Sequence, residues 1–185
     1  MTSNIGWEVS LMKTANNIHF NMKGNEAFLE LRKTAFLCSR KCPGNVILRA
    51  YDWAVEQRDK GMCVISGFHS KIEKDVLHYL LKGSQSVILV LARSMLKRFP
   101  PALKEALAEN RLLILSPFDN RVKRPTRETA LKRNKLMLNL AEEAVIAYAS
   151  EGGGLERLIL EMTDTNKIQT FDQATSVRLG IDIFK

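Results

Sequence analysis

Ala144-Val145-Ile146-Ala147-Tyr148-Ala149 runs closely into Gly152-Gly153-Gly154, after which Leu155, Leu158, Ile159 and Met162 recur at helical spacing. The hexapeptide has the length and apolar content of a parallel strand covered on both faces. The later apolar recurrence marks one face of a helix, so the glycines stand where a strand hands over to a helix. Glycine lets the backbone approach a ligand closely, and the first turn of a helix offers unpaired N–H groups and the positive end of its dipole. In open α/β sheets, ligands bind outside the carboxyl ends of the strands. Gly152, Gly153 and Gly154 are therefore the first candidates for an anion site, with a simple tight turn as the alternative.

The same alternation extends upstream. Thr34–Cys38, Met62–Ile65, Ser86–Leu91 and Leu112–Leu115 are short apolar runs with the character of buried strands. Between them, Val46, Ile47, Ala50, Tyr51, Ala54 and Val55 form one face of a helix ending near Lys60. Ile72, Val76, Leu77, Leu80 and Leu81 form a second helix closed by Gly83. Pro100-Pro101 opens a third helix, and Arg127–Leu140 reads as a fourth. Ile18–Asn25 reads as an extended piece with a Gly-Asn turn, followed by a brief helix over Glu26–Leu31. Ile168–Phe171 is expected to be the final, edge strand, and nothing regular is assigned beyond Ala174. Five or six strands alternating with helices predict a doubly wound, mostly parallel α/β sheet of Rossmann-like type, with helices on both faces and right-handed crossovers.

With 185 residues, 45% of them hydrophobic, the chain is sized for one core and one domain. The expected organisation is a capping segment over 1–31, a core over 34–171 and a tail over 172–185. A formal net charge of +8 favours polyanionic partners such as nucleic acid or nucleotides. No apolar run approaches the roughly 20 residues of a membrane span, and the amino terminus lacks a signal-peptide core. The expectation is a cytoplasmic protein without membrane attachment. Cys38, Cys42 and Cys63 form no disulfide framework. No metal is assigned, because a structural zinc needs four ligands and His19, His69 and His78 are scattered.

Arg121, Lys123, Arg124, Arg127, Lys132, Arg133 and Lys135 fall within fifteen residues, the densest basic stretch of the chain. Its functional reading is a phosphate-backbone surface, and its bland reading is a solvated helix face. Ser39-Arg40-Lys41, Ser66-Gly67 and Gly152-Gly154 all lie at expected carboxyl ends of strands, where they converge on one crevice. Phe68, Phe99, Phe118 and Tyr148 lie near the same ends as candidate stacking groups or as core, core being favoured for Tyr148. His69 and His78 have no nucleophile at a recognisable spacing, and Glu156 is better explained by the helix dipole than as an acid or base. No catalytic residue and no cofactor are assigned.

In order and spacing these motifs resemble the Rossmann-type domain of the DNA-processing protein A family (DprA, also called Smf). Ile18–Asn25 is similar to that family's Lys-Gly-Asp or Lys-Gly-Asn lead-in, and Leu37-Cys38-Ser39-Arg40 resembles its Gly-Ser-Arg strand end with Cys38 in the glycine position. Ser66-Gly67-Phe68 and Ile72-Glu73 resemble Ser-Gly-Leu-Ala-x-Gly-Ile-Asp, with Lys71 for the second glycine and Glu73 for the aspartate. Val90-Leu91-Ala92, Phe99-Pro100-Pro101, Leu115-Ser116-Pro117-Phe118 and Arg133-Asn134-Lys135 are similar to further family stretches. The resemblance covers roughly residues 18–171. It implies a bacterial single-stranded-DNA-binding protein acting with a recombinase, and it implies Arg40, Ser66, Gly67, Arg133 and Asn134 as pocket residues. Gly153-Gly154-Leu155-Glu156 partly resembles the signature of the lysine-decarboxylase-like nucleotide phosphoribohydrolases.

The expected function is binding of single-stranded DNA phosphates by Ser39, Arg40, Lys41, Ser66, Gly67, Arg133, Asn134, Lys135 and Gly152–Gly154, with a homodimer compatible with the sequence. The alternatives are a nucleotide-cleaving enzyme that uses Glu156 and Arg133, and a sensor of a phosphorylated nucleotide.

Overall fold

The computed structural model describes residues 13–15, 18–162 and 165–184. Of the capping segment expected over residues 1–31, residues 1–12, 16 and 17 lie outside them. The described residues form a nine-stranded sheet flanked by six α-helices, in the strand order β1-β2-β6-β5-β4-β3-β7-β8-β9. The strands are β1 (Lys13–Ala15), β2 (Ile18–Gly24), β3 (Lys33–Cys38), β4 (Cys63–Ser66), β5 (Val87–Val90), β6 (Leu112–Ser116), β7 (Glu143–Tyr148), β8 (Ile168–Thr170) and β9 (Asp182–Ile183). The helices are α1 (Gly44–Asp59), α2 (Lys71–Leu80), α3 (Pro101–Ala108), α4 (Arg127–Leu140), α5 (Gly154–Leu160) and α6 (Gln173–Leu179). From β3 to β9 every pairing is parallel, whereas β2 runs antiparallel to β6 and to β1. This is the mostly parallel, doubly wound Rossmann-like sheet that the alternation of apolar runs implies.

Alternation of side chains builds two cores. Ala35 and Leu37 of β3 face the layer under α4 and α5, while Phe36 and Cys38 face the layer under α1, α2 and α3. Phe36 stacks on Trp53 of α1 with ring centroids 4.8 Å apart. Burying such a side chain contributes about 1.5–3 kcal/mol.

The chain leaves β3 in one direction, through β4 and β5 to β6, and leaves β7 in the other, through β8 to β9. The boundary between β3 and β7 is therefore the point where the strand order reverses, the place at whose carboxyl ends ligands bind in open α/β sheets.

The carboxyl-terminal reading needs correction. β8 is neither final nor at the edge, because β9 pairs outside it with Gln169 opposite Asp182. Residues 173–183 hold a helix and a strand, and Arg49 of α1 donates to the carbonyls of Phe171 and Phe184 at 2.9 and 2.8 Å. The piece after Gly24 is a 3-10 turn over Glu26–Glu30, started by the Asn25 side chain accepting from the Ala27 N–H.

Candidate functional site

β3 ends at Cys38, and Ser39 ties it to β7 across the reversal point. The Ser39 N–H donates to the Tyr148 carbonyl at 3.0 Å, and Ser39 Oγ accepts from the Ser150 N–H at 3.0 Å. With the serine so engaged, Arg40 and Lys41 project into solvent. One strand over, Ser66 is fully buried, its Oγ donating to the Phe36 carbonyl at 2.7 Å and accepting from the Phe68 N–H at 3.3 Å. Ser66 thus braces the end of β4.

Gly67 is required by what lies beside it. A Cβ there would stand 2.2 Å from Nη1 of Arg133, so only glycine lets that guanidinium settle against the loop. Arg133 is 5% exposed, and Asn134 Oδ1 accepts from its Nε and Nη2 at 3.1 and 2.8 Å. Burial lowers its pKa and nearby Glu73 raises it, but a guanidinium stays charged.

Glu73 organises the surrounding backbone. Its Oε1 accepts from the Cys38 N–H at 3.2 Å, and its Oε2 from the N–H groups of His69 and Ser70 at 2.7 and 3.0 Å. Ser70 Oγ returns a capping contact by accepting from the Glu73 N–H at 3.2 Å, which closes a capping box at the start of α2. One carboxylate thus joins the ends of β3 and β4. His69 is exposed, and partial desolvation together with Arg133, Arg40 and Lys74 holds its pKa below the usual value, with Glu73 opposing them. The ring therefore feels the field of three basic side chains, opposed by Glu73.

The glycine turn is a clamp. Gly152 adopts φ +65°, its N–H donates to Glu156 Oε2 at 2.5 Å, and its carbonyl accepts from Arg157 at 2.8 Å. The Gly153 N–H donates to the Ser150 carbonyl at 2.9 Å, and a Cβ on Gly153 would stand 2.7 Å from that oxygen. Arg178 of α6 donates to Glu156 Oε1 at 2.8 Å and to the Ala149 carbonyl at 2.5 Å. The Arg178 contact, then the Gly152 N–H, hold the Glu156 carboxyl below the usual carboxylate value. Two N–H groups of the turn thus serve the turn itself.

The structure brings Ser39, Arg40, Lys41, Gly67, Arg133 and Asn134 to the neighbouring ends of β3 and β4, with Gly152–Gly154 after β7. Lys135 turns away to Glu161 beyond α5, 3.6 Å distant. Two more residues of the basic stretch are likewise paired, Arg121 with Asp119 at 2.6 Å and Lys132 with Glu128 at 2.9 Å. Phe68 and Phe118 are core rather than stacking platforms, at 5% and 8% exposure. Tyr148 is half-buried, and Phe99 lies beneath Lys23. Cys38 and Cys42 are free thiols, and burial, with Cys42 adding to it, pushes Cys38 up. Among the described residues, no three His, Cys, Asp or Glu side chains gather as a metal site. No helix among them is long and apolar enough to cross a membrane.

Sequence reasoning missed Glu73 as an organiser and Lys74 as a contributor of charge. The signal for the first was present, since Ser70-Lys71-Ile72-Glu73 has the Ser-x-x-Glu spacing of a capping box.

The family model described as DNA recombination-mediator protein A matches residues 10–166. DNA processing protein A from Helicobacter pylori, whose structure is described in terms of its single-stranded DNA binding mode, superposes with a TM-score of 0.66 at 20% identity, over 82% of this chain and 71% of that one. DNA processing protein A from Streptococcus pneumoniae superposes with a TM-score of 0.68 at 19% identity, over 92% of this chain and 65% of that one. A molybdenum cofactor binding protein from Rippkaea orientalis shares the fold with a TM-score of 0.58 at 8% identity, over 84% of this chain and 90% of that one. No curated protein matches the sequence.

Proposed function

The chain belongs to the DNA recombination-mediator protein A family, and on that footing we propose that it binds single-stranded DNA at the carboxyl ends of β3, β4 and β7. The observation that carries the proposal is the charge acting on His69: the Arg133 guanidinium, held in a glycine-sized space at Gly67, together with Arg40 and Lys74, with Glu73 opposing them. A buried cation is costly to desolvate, and an anion beside it offsets that cost. Arg40 and Lys41 project from the adjacent loop, where they reach backbone phosphates without reading bases. The Helicobacter pylori relative's described single-stranded DNA binding supports the same ligand.

The roles differ among the residues. Arg40 and Lys41 meet phosphate, Arg133 sets the local potential, and Ser39, Ser66, Asn134 and Glu73 position the loops. Gly152–Gly154 form the far wall, with Gly154 an open position, since a Cβ there would meet nothing within 4 Å. Catalysis is not part of this reading, because the Glu156 carboxylate that a nucleotide hydrolase would need is engaged by Arg178 and Gly152. A recombinase partner is a further expectation from the family resemblance, open to co-sedimentation, and a homodimer is one compatible with the sequence, open to light scattering.

The test is fluorescence anisotropy of a labelled oligothymidylate at low salt, beside an assay for base release from nucleoside monophosphates. Saturable binding, weakened about tenfold in Arg40→Ala, with intact monophosphates, is the expected result. Absence of binding in the parent protein overturns the proposal, and turnover of the monophosphate would return the site to the nucleotide-cleaving reading.

A further inference from the structure

A second feature lies to the side of the strand ends. A cavity of about 520 Å³ opens between α2 and α3, over β5. α2 packs on α1, and the cavity occupies its other flank. It extends from Phe68, before the first turn of α2, to Leu81 and Lys82 beyond the last. A ten-residue helix is about 15 Å long, so the cavity is an elongated groove with room for one row of side chains.

Its floor is aliphatic, built by Leu77, Leu81, Leu89 and Leu103. Its rim carries Lys74 and Lys82, both exposed, and Arg111, against Glu105 as the one acidic lining residue. Glu109 accepts from Nε and Nη2 of Arg111, and Nη1 is closed to solvent, so Arg111 contributes charge to the rim while Lys74 and Lys82 are the cations open to a ligand carboxylate.

We propose that the α2–α3 groove is a docking site for an acidic amphipathic helix of a partner protein. Apolar side chains spaced i, i+4, i+7 and i+11 follow one ridge for about three turns, which matches the length of the groove. The leucines take that ridge, and carboxylates flanking it face Lys74 and Lys82. Charge rules out a second copy of this chain as the favoured occupant, since both copies carry +8. Nucleic acid fits less well, because the floor is aliphatic, Phe68 is 5% exposed and offers no free ring face, and the His78 ring on the rim packs edge-on against Tyr79.

The probe is a labelled helical peptide of about 16 residues, with leucine at the four anchor positions and glutamate at most others, and a control with lysine in place of glutamate. Anisotropy should show saturable binding of the acidic peptide only. Leu81→Glu, which changes a half-buried side chain, and the double variant Lys74→Glu/Lys82→Glu should each weaken it about tenfold or more. Melting temperatures verify that the variants fold, and methyl NMR of the labelled protein should shift Leu77, Leu81 and Leu103. No saturable binding, equal binding of the lysine peptide, or equal binding by Leu81→Glu overturns the proposal. Displacement of the peptide by oligothymidylate also overturns it, by making the groove part of a nucleic-acid path.

Discussion

The contact between Gly67 and Arg133 is the tightest constraint at the strand ends, and a single methyl group tests it. Gly67→Ala places a Cβ 2.2 Å from the Arg133 Nη1, so the guanidinium must leave its position. Overpacking of this kind costs about 1–3 kcal/mol, and thermal unfolding should register it together with weaker oligonucleotide binding. Unchanged binding with Arg133 displaced would remove that residue from the proposed site. His69 supplies a pH test. It is held below its usual value by partial desolvation, Arg133, Arg40 and Lys74, against the pull of Glu73, so at neutral pH it is uncharged. A phosphate beside it favours the charged form, so binding takes up a proton and affinity should rise as pH falls below about 6.5. Affinities measured between pH 7.5 and 5.5 should show this rise in the parent and lose it in His69→Gln. The sequence groups Arg133, Asn134 and Lys135 as one basic motif, but successive residues on a helix do not face the same way. Asn134 lies close enough to grip Arg133, while Lys135 turns to Glu161, a separation visible only once α4 is packed.

Elements that carry an apolar period were legible, and those too short to carry one were not. β3 to β7 and α1 to α4 emerge from runs and faces because each buries enough apolar surface to leave a pattern. α5 is as short as α6 but buries Leu155, Leu158 and Ile159 at helical spacing, whereas α6 buries only Thr175 and Leu179 and β9 has two residues, so those two escaped that reading. A local signal was nonetheless available in Gly180, whose φ of +63° closes α6 in the manner of a helix-stopping glycine. What secures this end of the chain is tertiary, through Arg49 on the carbonyls of Phe171 and Phe184 and Arg178 on Glu156 and Ala149. Arg178→Gln should therefore loosen the glycine turn as well as α6. The carboxyl of Glu156 has a lowered value in the folded protein, so its contribution is present above the unfolded value near 4.5 and is lost as pH falls through the lower folded one. The melting temperature of Arg178→Gln should fall below the parent's at pH 7, and the gap should narrow below about pH 4. A gap that stays constant with pH would mean that the bond to the Ala149 carbonyl, rather than the ion pair, holds the turn.

For the whole molecule the question is whether net charge or placed charge carries the proposed binding of nucleic acid. The chain carries +8, enough to attract any polyanion over a Debye length of about 8–10 Å. Yet Arg121, Lys132 and Lys135 are each paired with a carboxylate, so much of the basic stretch contributes to the far field and little to a specific contact. Arg40 stands exposed at the reversal point of the sheet, where geometry and charge coincide. Salt dependence separates the two contributions. For a single strand, the slope of log affinity against log salt becomes shallower by about 0.7 for each phosphate that the protein no longer neutralises. Arg40→Ala should flatten the slope by about that amount, whereas Lys132→Ala, which removes the same formal charge from a surface pair, should leave it unchanged within error. Equal flattening in both variants would assign binding to the diffuse field of a basic protein. A difference confined to Arg40→Ala would instead place at least one phosphate at the carboxyl end of β3.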